Sequence, residues 1–331
     1  MIFNKIKAYV RLQTQKDLTI WGLLITTIIL IIAFSFLNQY FFTLKNFINI
    51  LLSISVIGIA AFSQTFVVVS GGIDLSQEAV IVGVGAIIAW LSRGSDSLVF
   101  THDNMPMSLL VLLGLLMGAT VGFVNGIIIT KSRINPIIAT LAMLGIVRGI
   151  TLYFTSSQMI PIRNEAFLYI GTGRIFGVIP LSVIILIIIF LLSFFILNST
   201  IFGRRIYAVG GNNLASIFSG IKVDRIRIVA YVQSGTLSAL AGIIFTSITR
   251  WGVPAGGQGL IFRILTAVFL GGVALRGGRG NIAGVALGVI IIGIISNGLT
   301  LLGMRVAIEL IIVGCILLVA VILSQFRRGT D

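Results

Sequence analysis

The sequence predicts an all-α, polytopic membrane protein of about ten transmembrane helices. Both termini lie on the cytoplasmic side, and one short amphipathic helix sits in the longest cytoplasmic loop. Three observations lead there. Apolar runs succeed one another at the roughly 17–25-residue length that spans a bilayer as helix. Hydrophobic residues make up 57% of the chain and charged residues only 10%, whereas soluble domains carry about 25% charged residues. Basic residues also concentrate in alternate loops, the pattern that orients membrane helices. The 331 residues therefore form one transmembrane domain, 1–331, with a cytoplasmic N-terminal segment at 1–18 and a cytoplasmic loop at 198–225.

The first span, 19–37, follows a segment bearing Lys5, Lys7, Arg11 and Lys16. That order resembles a secretory signal, but no small-x-small cleavage site follows, so the helix stays. The second span, 48–70, runs to Gly71-Gly72, and the third, 75–91, begins just beyond. Asp74 with Gln77 three residues later fits a capping box, with Asp74 as N-cap. Spans 107–130, 135–155 and 179–197 follow. Next comes the longest polar interruption. Within it Asn213 is placed to cap a helix, Leu214, Ile217 and Phe218 share one face, and Gly220 can end it. This element comprises Asn213, Leu214, Ala215, Ser216, Ile217, Phe218, Ser219 and Gly220. About two turns of helix are not stable alone in water, so the apolar face leans on the bilayer surface or on a soluble partner. Spans 226–249, 260–275, 282–302 and 306–324 complete the set. Two of the breaks repeat a pattern, an apolar run ending in Gly71-Gly72 and another ending in Gly271-Gly272, which hints at a duplicated ancestor.

With the N-terminus inside, 15 of the 23 lysines and arginines fall in inside segments and 7 outside or at the outer edge, leaving Arg148 within a span. The net charge of +14 is thus scattered over loops that flank membrane lipid. It forms no basic face for nucleic acid. A lone Cys315 excludes an internal disulfide or a cysteine metal site, and His102, alone in a polar loop, carries no signal.

Polar residues inside the spans are the candidates for a translocation pathway: Gln64, Asp74, Glu78, Asn125, Arg148 and Asn297. The run Gly71–Glu78 either starts a helix tightly after a turn or borders a cavity as a broken-helix element. Glu78, one turn into a span, needs protein, water or a cation beside it. Arg148 either snorkels, pairs structurally, or meets a polar solute, with Glu309 as a possible partner that otherwise faces the outer water. The amides, with Thr65, Gln233 and Thr300, either hold helices together or hydrogen-bond the hydroxyls of a passing solute. As a set they suit a neutral, hydroxyl-rich solute better than an ion.

No catalytic grouping is present, neither His-Glu-x-x-His, nor Gly-x-Ser-x-Gly, nor a cysteine pair. No Gly-Lys dipeptide occurs anywhere, so the chain has no phosphate loop. Any ATP-driven work falls to another subunit.

Over nearly its whole length the chain resembles the membrane permease subunit of ribose/galactose/xylose-type (also autoinducer-2-type) ABC sugar importers. The resemblance rests on Phe42-Thr43-Leu44-Lys45-Asn46-Phe47, Gly71-Gly72-Ile73-Asp74-Leu75-Ser76, Asn125-Gly126 and Arg148-Gly149. The second half adds Phe202-Gly203-Arg204-Arg205-Ile206-Tyr207-Ala208-Val209-Gly210-Gly211-Asn212, Ser219-Gly220-Ile221, Gly277-Gly278-Arg279-Gly280 and Asn297-Gly298-Leu299. Such a resemblance implies a multi-pass permease in the bacterial inner membrane that translocates a monosaccharide or similar polyhydroxylated solute. Its implied partners are an ABC ATPase subunit that binds ATP and Mg, a second permease subunit, and a periplasmic or lipid-anchored sugar-binding protein. This chain itself would hold no cofactor. The helix at 213–220 is then the coupling helix seated on the ATPase. The competing reading is an ion-coupled secondary transporter of a small polar solute, which requires a cluster of buried acids. The sequence offers only Asp74, Glu78 and Glu309, widely separated.

Overall fold

The computed structural model describes residues 2–92 and 106–326, so His102 and the basic residues Arg93, Arg327 and Arg328 lie outside the described residues. The described residues form thirteen helices, beginning with α1 (Ile2–Leu37), α2 (Leu44–Val69), α3 (Gln77–Leu91), α4 (Met107–Lys131) and α5 (Pro136–Thr155). A connection then carries β1 (Ile160–Pro161), α6 (Glu165–Thr172), β2 (Arg174–Ile175) and β3 (Ile179–Pro180). It leads to α7 (Leu181–Ser199), α8 (Ile201–Gly211), α9 (Asn213–Phe218) and α10 (Val223–Thr249). After β4 (Trp251–Gly252) come α11 (Leu260–Leu270), α12 (Ile282–Leu301) and α13 (Val306–Phe326). The strands are two-residue bridges, β1 antiparallel to β4 and β2 to β3.

Among the described residues, eight helices are long and apolar enough to cross a membrane. Two expected spans, 75–91 and 260–275, are not full spans. Helix α3 has 15 residues and α11 only 11, which at about 1.5 Å per residue gives roughly 22 and 16 Å, short of the ~30 Å hydrocarbon core. Both half-helices are set by their neighbouring glycine breaks. Helix α2 stops at Ser70-Gly71 and α11 at Gly271-Gly272, with Gly71 at φ +87° and Gly272 at φ +85°. These left-handed turns reverse the chain without the steric penalty a Cβ brings.

Burial divides the bundle into layers. Residues 54–69 of α2 are buried without interruption, and α12 is nearly as enclosed. These two, with α3, α10 and α11, form the interior. Helices α1, α4, α5, α7 and α13 ring it and turn leucine, isoleucine and phenylalanine outward, as lipid contact requires. Helix α4 shows how sequence sets its inward face. Its buried residues are Leu110, Gly114, Gly118, Gly122, Asn125, Gly126, Ile129 and Thr130, a stripe of glycines at four-residue spacing. A Cβ at Gly118 would lie 2.3 Å from the Gly235 carbonyl oxygen, and one at Gly122 2.1 Å from that of Tyr231. Only glycine lets α4 and α10 approach so closely, which raises their dispersion contact.

Two capping assignments differ from expectation. Asp74 does not cap α3. Ser76 stands at the N-cap without a side-chain cap, because the Asp74 carboxylate is turned into the bundle instead. Nor does Asn213 cap α9. The cap is Asn212, extended at φ −152°, whose Oδ1 accepts from the Ala215 amide at 3.0 Å. Residues 201–211, expected as irregular loop, are helical up to Gly211, so the first of the two asparagines falls at the break. At the other end Gly220, φ +76°, terminates α9 as expected.

Candidate functional site

Four polar groupings lie within the bundle. The first is built on the α2–α3 break. Asp74, 1% exposed, accepts from the Ser76 amide (3.0 Å) and hydroxyl (2.6 Å) on Oδ1 and from the Ser234 hydroxyl (2.7 Å) on Oδ2. Behind these hydroxyls stand two amides. Asn125 donates to Ser76 at 2.9 Å, while Gln77 donates to Ser234 at 2.9 Å and to Ser63 at 2.8 Å. Two amide–hydroxyl–carboxylate chains, Asn125–Ser76 and Gln77–Ser234, thus converge on Asp74 from α4, α3 and α10, while Ser63 of α2, held by Gln77, donates to the Ala60 carbonyl at 2.8 Å. Hydrogen bonds of this directed kind polarise one another in a low-dielectric core. The amide of Gln64, also fully buried, finds no partner among the described residues.

The second grouping is an ion pair. Arg148 of α5 meets Glu78 of α3 at 2.7 Å. The other Glu78 oxygen accepts from the Ile261 amide at 3.3 Å, one of the unpaired N–H groups in the first turn of α11. A carboxylate is favoured there by the helix dipole. The guanidinium side chain is 37% exposed and the carboxylate 7%, so this pair is the one charged site among the interior groupings that opens toward the bundle surface. Of the two readings of Glu309, neither the partnership with Arg148 nor the outward-facing position occurs. Glu309 is instead paired at 2.8 Å with Arg263 of α11 and accepts from Ser296 of α12. The short helix α11 is therefore held by a carboxylate from α3 at its start and by one from α13 a turn later.

The fourth grouping is a reciprocal amide pair, Asn46 to Asn297 at 2.9 and 2.8 Å, which ties the start of α2 to α12. Asn297 is here a helix-to-helix tie.

Of the six pathway candidates, Asp74 and Asn125 share one network, Glu78 and Arg148 form another, and Gln64 and Asn297 stand apart. Sequence reading passed over Ser63, Ser234, Arg263 and Asn46. Ser234 and Ser238 are one turn apart on α10 and both fully buried, a spacing that could have marked an inward polar face. Gln233, named for its amide, is only half-buried and takes no part in the network.

Helix α9 stands apart from the bundle. Leu214, Ile217 and Phe218 are 68%, 52% and 89% exposed, while Ser216 is the buried residue of the helix. Beside it runs a groove of about 340 Å³ lined by Ile217, Lys222, Val223, Arg225 and the Lys131–Asp224 pair. Helix α8, before it, packs inward through Gly203, Ile206 and Val209. Its Tyr207 hydroxyl donates to the Gly280 carbonyl at 3.0 Å, and burial pushes that phenol above its ordinary pKa, which keeps it a donor.

Comparison with known proteins adds to this geometry. The family described as branched-chain amino acid transport system / permease component matches residues 46–321. The ribose import permease protein RbsC of Bacillus subtilis is 39% identical over 306 residues, 91% of this chain and 91% of that protein. RbsC of Escherichia coli K12 is 37% identical over 311 residues, 92% and 93% of the two chains. The L-arabinose ABC transporter permease protein AraH of Azospirillum brasilense is 34% identical over 308 residues, 93% and 88%. No solved structure matches. An apolar bundle with broken helices, charged pairs in its interior and such similarity along its length has one reading: the chain belongs to the ribose/arabinose-type permease subunits of bacterial ABC transporters, multi-pass proteins of the inner membrane that carry no catalytic machinery of their own.

Proposed function

We propose that this chain forms the inner-membrane passage for a monosaccharide of the ribose or arabinose kind, driven by a separate ATPase subunit that binds ATP and Mg and fed by an extracytoplasmic binding protein. The observation that carries the reading is the 39% identity to a ribose import permease across 91% of both chains. The polar interior agrees with it. Two of the three buried acids are neutralised by arginine, and the third receives three hydrogen bonds, which leaves little to serve as the acid relay of an ion-coupled carrier. Reconstitution in vesicles tests it. Uptake of radiolabelled ribose or arabinose is expected only with the ATPase subunit, binding protein and ATP together. Uptake driven by a proton or sodium gradient through this chain alone would sink the proposal, and uptake of leucine in place of sugar would move the substrate class.

Within that function, α9 is the coupling helix and its Leu214/Ile217/Phe218 face docks on the ATPase. Both termini are cytoplasmic, and a second permease subunit, the same or a homologous chain, completes the passage. Sidedness is supported by which connections meet. The 155–181 and 249–260 connections join through β1 and β4, and Asn38 donates to the Leu301 carbonyl. On the opposite side the α2–α3, α8–α9 and α11–α12 connections converge. Alternation of ten segments predicts these groupings, and the basic loops belong to the second. Among the six pathway candidates, the Arg148–Glu78 pair, whose guanidinium is partly exposed, is the group placed to offer a charged donor to sugar hydroxyls. Asp74, Asn125, Gln64 and Asn297 lie behind the surface and act on helix packing.

A further inference from the structure

At the base of α9 three chain segments meet on glycine backbone. Gly210 lies in the last turn of α8, two residues before the Asn212 cap. A Cβ there would sit 1.8 Å from the carbonyl oxygen of Val69, the last residue of α2, and 2.5 Å from the Gly278 amide nitrogen. That amide donates to the same Val69 carbonyl at 2.9 Å. Gly278, at φ +72°, presses on the α8 end in turn, its missing Cβ falling 2.5 Å from the Gly211 Cα. A Cβ on Gly277 would lie 2.8 Å from the Gly71 amide nitrogen. Every obstructing atom is backbone, so no side chain can rotate away to make room. Tyr207 adds the bond to Gly280 noted above.

By contrast α9 itself buries little, and it meets the bundle mainly through its two ends. One end runs into α10 through residues 219–222. The other is fixed by this clasp to the end of α2 and to the 271–281 connection between α11 and α12. We propose that the Gly210–Val69–Gly278 clasp transmits displacement of α9 to α2 and to the α11–α12 break, and so sets how much transport each ATP yields. This rests on the reading of α9 as the coupling helix. The clasp lies five residues from Asp74, whose network reaches α3, and Glu78 of α3 holds both Arg148 and the start of α11. A rigid backbone contact suits such a role, because packed elements shift between discrete arrangements and do not deform smoothly.

The test uses the complete transporter in proteoliposomes, carrying Gly210→Ala, Gly278→Ala, Tyr207→Phe or the control Gly211→Ala. A methyl on Gly211 meets nothing within 4 Å. Each is combined with a cysteine at Leu214 to report cross-linking to the ATPase subunit. Sugar taken up per ATP hydrolysed is expected to fall at least fivefold for Gly210→Ala and Gly278→Ala, with cross-linking retained. Tyr207→Phe, which removes a hydrogen bond without adding volume, is expected to lower it about twofold, and Gly211→Ala to match the parent. An unchanged ratio in folded Gly210→Ala, or in Tyr207→Phe where the glycine variants do not fold, overturns the proposal, as does an equal loss in Gly211→Ala. Failure of Leu214→Cys to cross-link in the otherwise unaltered transporter instead removes the coupling-helix reading itself.

Discussion

At the residue scale the interior charges are arranged so that none stands alone against lipid. Glu78 is the informative case, since its two oxygens serve two elements, the Arg148 guanidinium and the α11 amide terminus. Breaking a fully buried pair costs about 3–5 kcal/mol, mostly because the surviving charge is left uncompensated. Arg148 is partly exposed, so the loss here is expected to be smaller, about 1–3 kcal/mol. Arg148→Met alone is therefore expected to lower the melting temperature of the detergent-purified protein more than the double variant Arg148→Met with Glu78→Gln. A double variant at least as unstable as the sum of the singles would show that the two residues do not act on each other. The sequence revealed both residues as anomalies, an acid and a base inside apolar runs. It did not reveal that they were partners, because 70 residues separate them and only the packing of α3 against α5 brings them together. The sequence offered Glu309, if it did not face the outer water, as the mate of Arg148, and it was α11, folded as a half-helix, that delivered Arg263 to Glu309 instead.

At the element scale the glycines decide how closely helices approach. In α4 they face α10, and in α5 they face outward, with nothing within 4 Å of a Cβ at Gly145 or Gly149. The same chemistry therefore has opposite consequences in the two helices. Gly122→Leu is expected to separate α4 from α10 and to abolish accumulation of folded protein, as read by size-exclusion chromatography. Gly145→Leu is expected to leave the isolated subunit's fold intact. The four-residue glycine period of α4 stands in the sequence, but it drew no reading there, and only the structure shows that it meets α10. Helix α9 was legible in its apolar face and its terminating glycine. Its cap was misplaced by one residue because Asn212 and Asn213 are chemically equivalent, and only the end of α8 selects between them. On the reading of α9 as the docking helix, Phe218→Asp is expected to abolish stimulation of the partner's ATP hydrolysis while the protein still inserts. Undiminished stimulation would rule out Phe218 as an anchor.

For the whole molecule, the loops that meet one another define two faces, and on the proposed sidedness the basic one is cytoplasmic. Single cysteines check this directly. Tyr40→Cys is expected to react with a membrane-impermeant maleimide in intact cells, and Leu214→Cys only in inverted vesicles. Labelling of both from the same side would refute the alternation of ten segments.

Composition and hydropathy by themselves determined the membrane environment, the number and order of apolar segments, the amphipathic α9 and the want of any nucleotide-binding loop. These are local properties: a run of apolar residues must be helical in lipid whatever surrounds it, since its backbone polar groups have no water to bond. Only the tertiary structure decided that two of the ten segments are half-helices, that Asp74 gathers hydroxyls instead of capping α3, which arginine Glu78 and Glu309 each hold, and that three distant glycine turns lock beneath α9. Those outcomes depend on contacts between residues up to about two hundred positions apart, where partner choice follows the packing of helices and no pattern within one segment records it.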